Sequence, residues 1–151
     1  MKTASIYKRL KKGYIVFGSS KTISGFRIAS EPFITISETE ANADTITNAI
    51  KASLCNDDTK RVPDPKNWSE SNKNFLQKVG LKSLKELDNS ETKLVLLSED
   101  GDSIVFEPMQ FQDKPGRGFV NTSKNEAFKV LNTASNQDIM TAYEFALNEC
   151  R

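Results

Sequence analysis

The chain of 151 residues contains no histidine. Histidine is the side chain whose ordinary pKa lies closest to neutral pH, and it is the commonest metal ligand. Its absence excludes Ser-His-Asp and Cys-His nucleophile systems, histidine-based zinc sites and proton relays through imidazole. The groups left for chemistry are carboxylates, lysines, tyrosines and two cysteines. The composition therefore favours a binding protein over an enzyme.

Cysteine is also scarce. Cys55 and Cys150 are too few for a disulfide framework or for a zinc site. Two free or half-buried thiols are the simpler interpretation, because thiols stay reduced in the cytosol. The alternative is a bridge that ties the first helix to the C-terminus.

Long apolar runs and an excess of one charge are missing as well. The longest purely apolar runs, residues 14–17 and 94–97, are far shorter than a membrane span. The basic N-terminus has no long apolar segment typical of a secretory signal behind it. We therefore expect a cytoplasmic protein that does not bind membranes. With 21 Lys plus Arg against 20 Asp plus Glu, the net charge of +1 argues against general nucleic-acid binding by bulk charge.

The first third of the chain is predicted to form strands. It holds four short runs rich in β-branched and aromatic residues, at 4–10, 14–18, 23–29 and 33–37. Alternation in the third run places Phe26 and Ile28 on the core side. Further along, an Asp-Gly pair between the apolar runs 94–97 and 104–106 predicts an antiparallel hairpin. A loop over 110–117 and weaker strands at 118–121 and 127–131 follow.

Two main amphipathic helices are predicted at about residues 41–54 and 136–149, where apolar residues recur at helical spacing. Ser37 and Glu40 stand at capping-box spacing before the first helix, with Thr39 as a competing cap. Ser135 and Asp138 cap the second. Short helices near 70–89 lie between them. The first of these ends at Gly80, and the second buries Leu84 and Leu87. The chain is thus predicted to be one α+β domain, 1–151, in which a central antiparallel sheet carries the two main helices.

No motif in the chain predicts a metal, cofactor or catalytic site. The acidic turn at 99–102 resembles part of a calcium loop, but the remaining ligand positions run into the apolar strand 104–106. The Gly-Arg-Gly run at 116–118 has no helix pattern behind it and is typical of a turn.

The basic N-terminus supports one nucleic-acid hypothesis. Five basic residues are interleaved with Tyr7 and Tyr14, and no acid precedes Glu31. Such a hairpin could hold phosphates while its rings stack on bases. The alternative is a hairpin whose exposed edge is protected by lysines.

Acidic residues are segregated into two blocks, residues 31–59 and 83–107, with a basic stretch at 60–82 between them. The two blocks form one negative patch if the end of the first helix lies near the hairpin at 99–102. A negative patch attracts a basic protein partner and speeds its capture. The alternative is a set of ordinary solvated faces.

A succession of motifs resembles the CdiI family of contact-dependent growth inhibition immunity proteins. The run Thr22-Ile23-Ser24-Gly25-Phe26-Arg27-Ile28 with Glu31-Pro32 is similar to the opening of that family. The similar motifs that follow are Ala49-Ile50-Lys51-Ala52-Ser53-Leu54, Val62-Pro63-Asp64-Pro65 with Trp68, Gly80-Leu81-Lys82-Ser83, the hairpin leading to Pro108, Gly118-Phe119-Val120, and a last helix with Ala142, Phe145 and Cys150. The chain departs from the family at Asp64, where histidine is frequent, and at Leu84, where an aromatic residue is frequent.

The resemblance implies a cytoplasmic antidote that needs no cofactor and is not an enzyme. Such a protein binds the C-terminal toxin domain of its cognate CdiA protein, usually a nuclease, as a 1:1 heterodimer, and blocks its active site or substrate groove. A single-stranded nucleic-acid-binding domain that uses the basic N-terminal hairpin is the alternative function.

Contacts with a toxin that cleaves RNA would be made by carboxylates that stand in for phosphates, and by aromatic anchors. The partner-binding residues predicted on this basis are Asp57, Asp58, Trp68, Glu99, Asp100, Asp102 and Phe111. The alternative for Trp68 and Phe111 is a place in the core.

Overall fold

The strands and helices form an α+β fold, as the sequence predicts. The computed structural model describes residues 1–112, 118–121 and 128–150. Within these ranges seven strands form one antiparallel sheet: β1 Lys2–Arg9, β2 Gly13–Lys21, β3 Arg27–Ile36, β4 Thr92–Asp100, β5 Ser103–Gln112, β6 Gly118–Asn121 and β7 Phe128–Leu131. The helices are α1 Ala43–Ser53, α2 Trp68–Val79, a short 3₁₀ helix Leu84–Glu86, and α3 Asn136–Glu149.

The strand order is β3-β2-β1-β4-β5-β6, and β7 also pairs with β5. The ten-residue β5 is long enough to pair with β7 through its first half and with β6 through its second half. The strand β1 lies in the middle, between β2 and β4. The expectation that lysines protect an exposed edge of the N-terminal hairpin is therefore wrong for β1, because its hydrogen-bonding groups are satisfied on both sides.

The main core lies on one face of the sheet, under α1 and α3. Alternate residues of β1 and β4, among them Ile6 and Val95, are fully buried against Ile50 of α1 and Tyr143 of α3. The apolar stripes that helical periodicity predicts for α1 and α3 pack against this face of the sheet. The Thr47 hydroxyl also donates to the backbone carbonyl of Asn136 (3.3 Å), which joins α1 to the start of α3.

The opposite face is only partly covered. A smaller core of Ile15, Phe17, Val79, Leu81 and Leu87 lies under α2 and the 3₁₀ helix. Because this cover extends mainly over β2 and β3, the part of this face formed by β1, β4 and β5 is left open. The open part includes Ser5, Leu96 and Glu107, whose side chains lie in neighbouring register positions.

The predicted N-terminal cap of α3 is confirmed, whereas that of α1 is not. Ser135 caps α3, accepting from the backbone N–H of Asp138 (3.1 Å). The prediction for α1 is wrong, because Asn42 and Thr45 form its capping box. The Ser37 hydroxyl does donate to Glu40 (2.7 Å), but in the turn before the helix. An asparagine cap satisfies the free N–H groups of the first turn as well as serine does.

The third predicted strand, residues 23–29, is wrong over its first half. Residues 22–26 form the turn between β2 and β3, and Phe26 is 58% exposed instead of lying in the core. The strand β3 then continues through the cis Glu31-Pro32 bond, with a register shift opposite Phe17. The apolar composition of the turn therefore reflects an exposed surface and not a buried strand.

Other boundaries agree with the sequence more closely. Gly80 ends α2 in the left-handed conformation (φ 73°), and Asp100 and Ser103 close the β4–β5 hairpin. Leu87 is buried as predicted, but Leu84 is 41% exposed. Strand β5 continues to Gln112, three residues into the predicted loop 110–117; residues 113–117 of that loop lie outside the described residues, as does Ala127.

Candidate functional site

One end of the sheet brings together three segments that are far apart in the sequence. The start of β1, the β2–β3 turn and the β4–β5 turn all lie at this end, which we call the Lys2 end. Lys2 is opposite Glu99 in the β1–β4 ladder and forms an isolated bridge with Asp57. The two acidic blocks therefore meet at the Lys2 end, as the hypothesis of one negative patch requires.

Three of the five predicted carboxylates at the Lys2 end are already paired within the chain. Asp58 accepts two hydrogen bonds from Arg27, at 2.6 and 3.0 Å. Asp57 lies 3.6 Å from the Met1 amino group, and Glu99 lies 3.8 Å from Lys2 Nζ. These pairs reduce the net negative charge that Asp57, Asp58 and Glu99 present to a partner.

Asp57 and Asp58 also have lowered pKa values. The hydrogen bond from Arg27 lowers the pKa of Asp58 below its ordinary value, and the Arg27 charge lowers it further. The backbone N–H of Thr59 is the main cause of the lowered pKa of Asp57. Both groups are therefore ionised throughout the neutral range.

Asp100 and Asp102 differ from the other three carboxylates. They lie in the β4–β5 turn around Gly101 (φ 63°), are exposed, and form no ion pair with any residue in the described part of the chain. The Asp102 backbone carbonyl accepts from Asn132 N–H (2.8 Å), which holds the turn against the segment after β7. We call Asp100 and Asp102 the acidic tip.

Trp68 lies beside two exposed apolar residues that were not predicted as partner contacts. It is the first residue of α2, is 44% exposed, and packs edge-on against Phe26 with ring centroids 5.7 Å apart. Ile23, in the same turn as Phe26, is 67% exposed. We call Ile23, Phe26 and Trp68 the apolar patch. The sequence Thr-Ile-Ser-Gly-Phe at 22–26 indicates that Ile23 and Phe26 are exposed only if its glycine is taken as a turn residue.

Phe111 lies away from Trp68, at one end of a row of aromatic rings on the second face of the sheet. Its ring contacts Phe119 at 5.5 Å, Phe119 contacts Tyr7 at 5.8 Å, and Tyr7 stacks on Phe17 at 5.9 Å. Phe75 of α2 follows at 5.0 Å from Phe17. The rings of this row come from four strands and from α2, so sequence periodicity could not reveal it.

A cleft follows this row between the sheet and α2. Its volume is about 610 Å³, and a second cavity of about 410 Å³ continues it over β1 and β4. Tyr7 and Arg27 line both cavities. Burial raises the pKa values of Tyr7 and of Asp88 on the cleft wall, and the Asp88 charge raises that of Tyr7 further. A neutral phenol and a carboxylate give this cleft hydrogen-bonding groups for a ligand or partner.

The basic N-terminal hairpin does not form one stacking surface. Tyr7 belongs to the second face, whereas Tyr14 packs on the main core with its ring 6.4 Å from that of Tyr143. Two of the cations are also engaged, since Lys8 lies 5.8 Å from the Tyr14 ring and Arg9 lies 3.7 Å from Glu86. The two tyrosines therefore cannot stack on neighbouring bases of one strand.

The described residues, 1–112, 118–121 and 128–150, include both cysteines. In these ranges no three His, Cys, Asp or Glu side chains are placed to hold a metal ion, and no helix is long and apolar enough to cross a membrane. Cys55 is exposed and Cys150 is buried, and both thiols are free. The interpretation as two free thiols is confirmed.

The chain shares its fold with two solved structures. No protein-family model and no curated protein matches its sequence. A protein of unknown function from Neisseria meningitidis superposes with a TM-score of 0.72 at 12% identity, covering 99% of this chain and 95% of that one. A chain of the CdiA-CT/CdiI toxin and immunity complex from Yersinia pseudotuberculosis superposes with a TM-score of 0.61 at 14% identity, covering 99% and 97%. The likeness extends over the whole fold.

Proposed function

We propose that this chain is an immunity protein that binds a toxin domain and neutralises it. The observation that carries the proposal is the match, over nearly all of both chains, to a chain of a toxin and immunity complex. A fold alone does not determine function, so the proposal also depends on the surface at the Lys2 end. That surface offers charged and exposed apolar groups of the kinds that protein interfaces use.

The proposed partner is the C-terminal toxin domain of a cognate CdiA protein, bound 1:1 in the cytoplasm. We propose that the toxin is a nuclease, most simply an RNase. Such an enzyme presents positive charge to phosphate, and Asp100 and Asp102 are exposed carboxylates that could meet it. Binding of this kind inhibits the toxin by covering its active site or substrate groove and requires no catalytic group on this chain.

The test uses this chain and the C-terminal domain of the CdiA protein that the proposal expects to be encoded next to it. Toxin and chain are mixed at increasing ratios, and cleavage of RNA and of DNA is followed. We expect inhibition to be complete at one chain per toxin and the mixture to elute as a 1:1 complex in size-exclusion chromatography. A non-cognate CdiA toxin domain is the control, and its activity should be unaffected. Undiminished cleavage by the cognate domain at excess chain would contradict the proposal.

The same preparation tests the alternative function. We expect no retention of single-stranded RNA or DNA in filter binding at physiological salt, because the rings of the basic hairpin lie on opposite faces of the sheet. Retention that falls steeply with salt and disappears when Lys8, Arg9, Lys11 and Lys12 are replaced would favour the nucleic-acid-binding function.

A further inference from the structure

The turn that carries Ile23 and Phe26 is held from two sides by hydrogen bonds. Within the turn, Thr22 N–H donates to the Phe26 carbonyl (2.7 Å) and Phe26 N–H donates to the buried Thr22 hydroxyl (3.0 Å). From the neighbouring loop, the Val62 carbonyl accepts from Ile23 N–H (2.9 Å). The backbone conformation of this turn is therefore fixed before any partner arrives.

The same loop fixes the remaining polar groups of the turn. Asp64 accepts from both the backbone N–H and the hydroxyl of Ser24, and these bonds lower the pKa of the Asp64 carboxyl. The Arg61 guanidinium donates to the carbonyls of Thr22 (3.3 Å) and Ile23 (3.4 Å). Polar groups thus hold the turn in place, while its apolar side chains remain in water.

Rigid display of exposed apolar groups is unfavourable unless a partner covers them. Ile23 is 67% exposed and Phe26 58%, and Trp68 extends the same surface from the start of α2. Contiguous exposed apolar surface of this kind marks interaction sites. Aromatic residues held in their bound conformation lose little entropy on binding, so they give the most binding energy per residue.

Positive charge surrounds the apolar patch. Lys21 directly precedes the turn, Lys60 and Arg61 belong to the loop that holds it, and Lys66 lines the cleft beside Trp68. Of the carboxylates nearby, Asp58 is paired with Arg27. Asp64 is turned toward Ser24, and Glu70 is the third residue of α2. Counting Arg27, five cations thus face three carboxylates, two of which are already bonded within the chain. A partner surface that matches this patch therefore has an apolar pocket with carboxylates at its rim.

The apolar patch and the acidic tip project from the same end of the sheet. The β2–β3 turn and the β4–β5 turn are separated by three strand spacings, or about 14 Å. A standard interface buries about 800 Å² on each partner, which is wide enough to include both features. The charge along this end thus changes from positive at Lys21 and Arg61 to negative at Asp100 and Asp102.

We propose that the apolar patch is the anchor for the toxin domain, inserting into an apolar pocket with a carboxylate rim, while the acidic tip faces a cationic region of the same domain. This inference rests on the proposed function and names the surface that performs it. The two features act on different rates. Desolvated aromatic anchors slow dissociation, whereas an exposed charge on the periphery speeds capture.

The first test compares Phe26→Ala and Trp68→Ala with a matched control, using the catalytically inactivated C-terminal domain of the proposed CdiA partner. Each patch variant should bind at least about 30-fold more weakly, mainly through faster dissociation. Phe145→Ala is the control, because Phe145 is 56% exposed and also stacks on another ring, that of Phe128. The control should change Kd by less than about twofold, and unchanged urea midpoints should show that all three variants are folded.

The second test uses the fact that Trp68 is the only tryptophan. Incorporation of 5-fluorotryptophan gives this chain a single ¹⁹F signal that a tryptophan in the toxin cannot obscure. The signal should shift when unlabelled toxin domain is added, and its H₂O/D₂O solvent isotope shift should disappear.

A third test reverses one charge beside the apolar patch. Lys66→Glu should weaken binding several-fold because it places negative charge against the carboxylate rim. Lys11→Glu, at the opposite end of the sheet, should not.

The outcomes separate this inference from the proposed function. If the wild-type chain binds the toxin domain but Phe26→Ala and Trp68→Ala bind equally well and the ¹⁹F signal stays solvent-accessible, the anchor is elsewhere and only the inference fails. If the wild-type chain forms no complex, both fail. Binding that weakens in the patch variants alone, with a protected ¹⁹F signal, supports both.

Discussion

Arg27 and Asp58 form a two-pronged ion pair, with donor–acceptor distances of 2.6 and 3.0 Å, that joins the first residue of β3 to the loop after α1. Arg27 also donates to the hydroxyl of Thr3 (2.7 Å) in β1. One guanidinium therefore connects three segments at the Lys2 end. This explains why the acidic loop after α1 lies beside the hairpin, although 41 residues separate Asp58 from Glu99 along the chain.

We expect Asp58→Asn to lower the free energy of unfolding by about 1 kcal/mol at pH 7, since paired charges near the surface contribute on this scale. The pKa of Asp58 is lower in the folded protein than in the unfolded chain. Its contribution is therefore complete above the unfolded pKa of about 3.9 and is lost as pH falls through the folded value. Urea unfolding at pH 7 and at pH 3 should show the difference between wild type and variant shrinking at the lower pH.

Asp100→Asn is the control for this experiment. Asp100 forms no ion pair with any residue described by the structure, so its replacement should leave the unfolding midpoint nearly unchanged at both pH values. A difference for Asp58→Asn that stayed constant from pH 7 to pH 3 would show that the ion pair is not its source.

Gly13 allows a strand approach that no other residue permits. Its φ is 105°, and a Cβ placed there would lie 2.1 Å from the Ile36 carbonyl oxygen, which is backbone and cannot move aside. We expect Gly13→Ala to lower the free energy of unfolding by about 3 kcal/mol or more. Gly80→Ala is the matched control, because Gly80 also has a positive φ (73°) but no atom lies within 4 Å of the added Cβ. Its cost should be about 1 kcal/mol, and equal losses for both variants would contradict this explanation.

The parts of the fold that could be predicted are those determined by nearby residues. The periodicity of α3, its Ser135 cap and the Asp-Gly turn depend on contacts within a few positions. The bounds of α3 and the place of the turn therefore agree with the structure, whereas β4 and β5 extend beyond the predicted runs 94–97 and 104–106. The turn at 22–26 could not be predicted in this way. Its hydrogen-bond partners, Arg61, Val62 and Asp64, come about forty residues later, and without them Ile23 and Phe26 fit a half-buried strand.

The predicted partner-binding residues show the same limit. The two acidic blocks are expected to form one patch if the end of the first helix lies near the hairpin at 99–102. The β1–β4 pairing and the Lys2–Asp57 bridge fulfil that condition. The three paired carboxylates are held by Met1, Lys2 and Arg27, and only the sheet register shows that these cations lie beside them. For that reason composition could not separate the acidic tip from Asp57, Asp58 and Glu99.

Tyr143 has an unsatisfied hydroxyl in the main core. The side chain is fully buried, its hydroxyl has no hydrogen-bond partner among the described residues, and burial raises its pKa well above the ordinary value. An unpaired buried polar group costs about 1–3 kcal/mol. We therefore expect Tyr143→Phe to raise the free energy of unfolding by about 1 kcal/mol, measured by urea denaturation. A destabilised Tyr143→Phe would mean that the hydroxyl is hydrogen-bonded in solution.

The two thiols should react at very different rates. Cys55 is exposed, whereas Cys150 is buried, donates to the Leu94 carbonyl (3.3 Å) and has a pKa raised by burial. Iodoacetamide on the native protein should add one label, on Cys55, and a second only in denaturant. Mass spectrometry of the intact protein measures this. Two rapid labels under native conditions would contradict the burial of Cys150.

The acidic tip should control the rate of toxin capture. Replacing Glu99, Asp100 and Asp102 together by serine should slow association with the toxin domain several-fold at low salt and reduce its salt dependence, because exposed charges act mainly through long-range steering. The double change Asp100→Ser and Asp102→Ser should by itself slow association. The further change Glu99→Ser should slow it more, because it leaves the charge of Lys2 uncompensated. Glu38→Ser with Glu40→Ser, in the turn before α1, removes the same charge elsewhere and serves as the control. Stopped-flow association at 20 and 200 mM salt measures each variant, and equal slowing by the control pair would show that net charge, and not the acidic tip, governs capture.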